Sequence, residues 1–174
     1  PKINVVAMRN VNEDEYADFA DLARERDLDV RFIEFMPLDS GRSWKPESVV
    51  SETEIVAAIC LRHAIEVADT ANIHSTSRNY RFADGAAGRI GVIAPVTRPF
   101  CGACNRLRVT AEGAVRPCLF SNTEWDIRPL LRRGASTEDL ASFLVDSVWT
   151  KQAGHGIGGS DFLQPDRGMS AIGG

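Results

Sequence analysis

Three cysteines lie in the segment FCGACNRLRVTAEGAVRPCLF. Cys101, Cys104 and Cys118 are spaced C-x2-C-x13-C in a chain of 174 residues with four cysteines in all. Two sulfurs at C-x2-C spacing reach one ion, because a tight turn sets both on the same side. Cys118 returns to them if the thirteen intervening residues form a hairpin. RLRVT and AVRPC read as its strands, joined around Glu112 and Gly113, and Pro117 falls at the end of the return strand, where no ladder donor is required. Two occupants suit three thiolates. One is a zinc ion completed by His155, which makes the segment a zinc-stabilised binding module, with three cysteine ligands and one histidine, without catalysis. The other is an iron-sulfur cluster with one iron left open to a ligand. Arg106 and Arg108 stand two apart in the outgoing strand and so share a face. Their planar forks suit phosphate oxygens, and beside an open metal they would hold a triphosphate with its base toward the iron. The plain alternative is a solvated strand edge.

The elements that must position these residues fall into two patterns. Lys2 to Met8 reads as a buried strand, Asn12 to Glu15 as a capping box with Asn12 at the N-cap, and Tyr16, Phe19, Ala20 and Ala23 as the apolar stripe of a helix. Asp29 to Phe35 reads as a second strand. Strand, helix and strand form a βαβ unit, whose ligand site is expected beyond the C-terminal strand ends, where Met36 lies. A polar loop follows, then a second capping box at Ser51 and Glu54, opening a helix with Ile55, Ala58 and Ile59 on its buried face. Cys60, in AAICLRH, has no companion at ligand spacing and reads as a small buried hydrophobe. From Asn79 onward short strands punctuated by glycine (NYRF, ADGAAG, RIGVIAP) indicate antiparallel hairpins, so a second, α+β portion is expected from about residue 75. WDIRPLLRRG and the segment opened by Ser136 and Asp139, with Leu140, Phe143, Leu144 and Val148, read as packing helices. The tail from Gly154 holds seven of the fourteen glycines in 21 residues, which composition alone reads as a disordered terminus.

Composition narrows the function classes. A chain with 44% hydrophobic and 25% charged residues is an ordinary globular protein, and no apolar run approaches the length of a membrane span. The start, PKINVVAMRN, lacks the build of a signal peptide, so a cytoplasmic location without membrane association is expected. Four cysteines in that setting indicate thiol or metal chemistry rather than disulfides. A net charge of -4 and a pI near 5.4 argue against a nucleic-acid partner, while a small anion needs only a local basic cluster. His63 and His74 have no ligand-like spacing. Trp44, Trp125 and Trp149 show no stacking pattern.

Taken together, KINVV, RFIEFMPLD, GRIGVIAPVTRPFCGACNRLRVTAEGAVRPCLF and the terminal MSAIGG resemble the GTP 3',8-cyclases, radical S-adenosylmethionine lyases that begin molybdenum cofactor biosynthesis. The resemblance covers essentially the whole chain. It implies that Cys101, Cys104 and Cys118 ligate a [4Fe-4S] cluster whose open iron receives the guanine of GTP. It also implies that Lys2, Arg31, Arg106 and Arg108 contact GTP, that Met36 touches S-adenosylmethionine, and that Gly173 and Gly174 assist catalysis. The fold implied is α/β: residues 1–74 as the last βα units of an incomplete (βα)6 TIM-like barrel, and residues 75–174 as an α+β iron-sulfur and GTP-binding region with antiparallel hairpins and a Gly-rich tail. The C-x3-C-x2-C motif that holds the family's second [4Fe-4S] cluster and cleaves S-adenosylmethionine does not occur here. The chain therefore resembles the C-terminal half, inactive alone. The missing N-terminal half, a second copy, and the downstream cyclic pyranopterin monophosphate synthase are the implied partners.

Overall fold

The computed structural model describes residues 1–39, 41–68 and 72–172. Over these the fold is mixed α/β, with a five-stranded mixed sheet and a three-stranded antiparallel sheet. Two compact units result, one of residues 1–36 with 44–103, the other of residues 37–43 with the chain from 104 onward.

In the first unit, β1 (Lys2–Ala7), α1 (Tyr16–Arg26) and β2 (Asp29–Glu34) form the expected βαβ unit, with β1 and β2 parallel. Val5, Ala7, Val30 and Phe32 share a core with Tyr16, Ala20 and Ala23 of α1. The rings of Tyr16 and Phe19 meet Phe32 edge-on, with centroids 5.3 and 6.1 Å apart. The helix begins later than the Asn12 cap would place it. Asn12 instead ties off β1: its Oδ1 accepts from the Met8 N–H at 3.0 Å and its Nδ2 donates to the Val6 carbonyl at 2.9 Å. The side chain is thus spent on the strand end, and Glu15 occupies the cap position without a side-chain cap bond.

The second expected capping box is present. Ser51 Oγ accepts from the Glu54 N–H while the Glu54 carboxylate accepts from the Ser51 N–H, opening α2 (Glu52–Cys60). Ile55 and Ile59 are buried, but Cys60 is exposed. Its expected place in the core is corrected: one residue past Ile59 the helix has turned about 100° away from the buried stripe.

The hairpin strands β4 (Arg78–Phe82) and β5 (Arg89–Ile93), with the short β3 (Ile65–Val67), join the same sheet in the order β1-β2-β5-β4-β3. β5 runs parallel to β2, while β4 is antiparallel to β5 and β3 to β4. They complete this sheet because Tyr80, Phe82, Ile90 and Val92 belong to the core that β1 and β2 began. Gly88, at the entrance to β5, permits a close approach to α1: a Cβ there would lie 2.1 Å from the Ala23 carbonyl oxygen.

In the second unit, β6 (Arg108–Val109), β7 (Ala114–Arg116) and β8 (Trp125–Asp126) form the antiparallel sheet, followed by α3 (Arg128–Arg132) and α4 (Thr137–Trp149). The expected box of Ser136 and Asp139 caps α4, and Phe143 meets the Trp125 ring edge-on at 6.0 Å. The glycine-rich tail carries more structure than its composition indicates. The Met169 N–H donates to the Leu38 carbonyl at 3.0 Å, Met169–Ala171 form a single tight turn, and Ile172 is buried. Gly173 and Gly174 lie outside the described residues. No helix among the described residues is long and apolar enough to cross a membrane.

Candidate functional site

The cysteine segment of the second unit is built on the expected hairpin. Gly113 N–H donates to the Thr110 carbonyl and Thr110 N–H to the Ala114 carbonyl, both at 2.9 Å, with Gly113 at a φ of +80° that disfavours any side chain. The turn sets Arg108 opposite Arg116 and Val109 opposite Val115. Cys104 lies before the outgoing strand and Cys118 after the returning one. Cys101 opens a single tight turn, Cys101–Ala103, at the end of the first unit, where the His74 ring Nδ1 lies 2.7 Å from the Ala103 carbonyl oxygen. All three thiols are free and half-buried.

Cys104 has the most organised surroundings. Arg106 directs Nε and Nη2 at its Sγ, at 3.2 and 3.0 Å, and Lys151 places Nζ at 3.2 Å from the same sulfur. Lys151 also donates to the backbone carbonyls of Cys104, at 2.8 Å, and Arg106, at 3.1 Å. Partial burial pushes the Cys104 thiol up, but the Arg106 backbone and side-chain donors and the Lys151 ammonium outweigh it, bringing the thiol down to about 7. Arg108 is half-buried; burial, then the neighbouring charge of Arg106, lowers its pKa, while Cys104 and Cys118 act in the opposite sense. One electrostatic patch therefore joins both arginines to two of the cysteines. Behind it, the buried Arg116 donates to Glu124 and to the Ser121 carbonyl, and Arg167 bridges Glu124 and Glu112.

His155 packs against Phe120, with ring centroids 5.3 Å apart, and its Nδ1 accepts from the Ile157 N–H at 3.0 Å. Among the described residues, no three His, Cys, Asp or Glu side chains are gathered to hold a metal ion.

In the first unit, Lys2 pairs in register with Asp29, so Lys2 and Arg31 lie on the sheet face away from the core. Asn4, Arg31, Gly91 and Asn79 form one row across four strands. Gly91 leaves room in that row: an added Cβ would lie 2.5 Å from Ser77 Oγ and 3.2 Å from Arg31 Cγ and Asn79 Oδ1. Met36 is half-buried beyond the C-terminal end of β2, the rim expected for it. Glu34, at the end of β2, is fully buried and accepts from the Val96 and Thr97 N–H groups at 2.8 and 2.9 Å and from the Thr97 hydroxyl. It ties β2 to the loop that leads toward Cys101. Sequence reasoning missed Glu34, which reads as one more alternating strand residue, and Lys151, which carries no motif and lies 47 residues from the sulfur it meets.

Residues 28–157 match the family described as Molybdenum Cofactor Synthesis C. The chain belongs to that family. Family members similar to it include the GTP 3',8-cyclase of Streptomyces coelicolor, 43% identical over 173 residues, which covers 99% of this chain and 51% of that protein. The GTP 3',8-cyclase of Corynebacterium glutamicum (strain R) is 41% identical over 177 residues, covering 99% of this chain and 47% of the relative. That of Rhodopirellula baltica is 41% identical over 180 residues, covering 99% and 49%. The chain spans about half the length of the curated relatives it matches.

Proposed function

We propose that the chain is the C-terminal, GTP- and [4Fe-4S]-binding portion of a GTP 3',8-cyclase. The complete enzyme of this reading is a radical S-adenosylmethionine lyase, which converts GTP to (8S)-3',8-cyclo-7,8-dihydroguanosine 5'-triphosphate. The observation that carries the reading is the convergence of Arg106 and Lys151 on Cys104 Sγ, in a chain whose homologues are GTP 3',8-cyclases. An anion bound by Arg106 sits beside a metal-binding thiol.

The donor chemistry fits a thiophilic cluster: three free, half-buried thiols, one of them held near the thiolate threshold. Cys101, Cys104 and Cys118 would hold it. When bound, the cluster supplies an open iron to the purine. The protein side chains do the rest. Arg106 and Arg108 grip the triphosphate, Lys2 and Arg31 contact the nucleotide from the β1-β2 face, Met36 meets S-adenosylmethionine at the strand rim, and Gly173 and Gly174 assist catalysis. In this reading residues 1–74 are the closing βα units of a partial (βα)6 barrel and residues 75–174 the cluster and GTP-binding region. A segment bearing the C-x3-C-x2-C motif completes the enzyme in the cytoplasm, with the second cluster and S-adenosylmethionine as its cofactors.

Arg106→Ala and Arg108→Ala test the phosphate site. A hydrogen bond to a charged group is worth about 1.5–3 kcal/mol, so each variant is expected to weaken GTP binding about tenfold to a hundredfold by calorimetry. Unchanged affinity in the double variant would reduce the pair to a solvated edge. The chain alone is not expected to cleave S-adenosylmethionine; release of 5'-deoxyadenosine by the reconstituted chain would contradict the division of labour.

A further inference from the structure

We propose that Lys151 is a positioning residue for the cysteine site: it fixes the Cys104–Arg106 loop and sets its ammonium group against the sulfur of Cys104. This rests on the reading that Cys104 ligates the cluster. Lys151 stands just past the end of α4, whose last residue is Trp149, and its backbone N–H donates to the Val148 carbonyl at 2.9 Å, so the side chain starts from an anchored point. From there one ammonium uses all three of its donors on one loop, to the Cys104 carbonyl at 2.8 Å, the Arg106 carbonyl at 3.1 Å and Cys104 Sγ at 3.2 Å. Each bond restrains a different atom. Together they restrain both the backbone that carries Cys104 and the direction of its sulfur, which no single contact could do.

The three acceptors distinguish this role from that of Arg106. Arg106 reaches the sulfur from two residues away in the same loop, so it moves with the group it contacts. Lys151 approaches from the segment just past α4, 47 residues along the chain, and is independent of that loop. α4 is in turn held to the sheet through Phe143 on Trp125. A fixed cation and a hydrogen bond on a ligand sulfur both stabilise the more negative, reduced form of an iron-sulfur cluster, and so raise its reduction potential. Lys151 would therefore do more than brace the loop; with an iron-sulfur cluster on that sulfur, its charge would raise the reduction potential.

The test is the midpoint potential of the anaerobically reconstituted chain, followed by electron paramagnetic resonance, in wild type, Lys151→Met and Lys151→Arg, with circular dichroism as the check on folding. Lys151→Met is expected to shift the midpoint to more negative potential, or to lose the cluster from a folded chain, and Lys151→Arg to restore most of the shift. A cluster in Lys151→Met with the wild-type midpoint would overturn the inference and leave the functional reading intact. Absence of any cluster from the wild type would overturn both. If Lys151→Met fails to fold, Lys151→Gln and Lys151→Arg decide the matter. The Gln variant is expected at more negative potential than the Arg variant, and equal midpoints would overturn the proposal.

Discussion

Cys104 concentrates the residue-scale chemistry. Burial opposes its ionisation, and the donors of Arg106 and Lys151 more than reverse that, so its thiol sits at about 7 rather than the ordinary 9. In the metal-free chain, alkylation of Cys104 followed by mass spectrometry is expected to rise with pH around a midpoint near that value. Lys151→Ala is expected to move the midpoint upward; an unmoved midpoint would contradict the charge argument. The hairpin between Cys104 and Cys118 was legible because its signals are local: a turn at Gly113 joins two short strands, although the outgoing strand is only Arg108–Val109 and Arg106 precedes it. Lys151 was not legible, since only the path of α4 brings it to the sulfur. Cys60 misled because its apolar neighbours in AAICLRH describe the helix as a whole, whereas burial depends on which side of the stripe a residue falls.

At the scale of elements, local chemistry predicts best where a motif has no competitor. Ser51 and Ser136 cap their helices as expected, and Ser51→Ala is expected to lower stability by about 1 kcal/mol in urea unfolding. Asn12 had a competitor in the end of β1, and the strand won. Glu54 adds a pH signature. Bonds from the Ser51 side chain and backbone, then from Arg9, hold its carboxyl down at about 2 against an ordinary 4.5. A depressed carboxyl stabilises the folded state fully above its unfolded pKa and loses that contribution as pH falls toward the folded one. The melting temperature is therefore expected to drop between about pH 4.5 and 2, and Glu54→Gln to remove part of that drop. A wild-type profile in Glu54→Gln would contradict this. Gly88→Ala probes the approach of β5 to α1. Its added Cβ meets backbone at 2.1 Å, so a cost of about 3 kcal/mol or more is expected in the same unfolding assay. No loss would show that the helix can withdraw.

For the whole molecule, the βαβ unit and the hairpins were readable from periodicity and glycine punctuation, but their union was not. A hairpin pattern does not say which sheet it joins, and β4 and β5 extend the parallel sheet because their inward residues complete its core. β1 is an edge strand of that sheet, with Val6 46% exposed on the face away from the core. An edge of this kind is a template for further pairing. The chain is expected to associate with itself as its concentration rises, measured by light scattering after size exclusion; a monomer throughout would contradict a role for that edge in assembly. The central claim concerns what the three thiols hold, and the most direct measurement is the metal and acid-labile sulfide content of anaerobically purified chain, beside Cys101→Ala, Cys104→Ala and Cys118→Ala. Iron and sulfide in equal amounts in a brown wild type, lost from each variant, is the expected result; a colourless protein with stoichiometric zinc would contradict it.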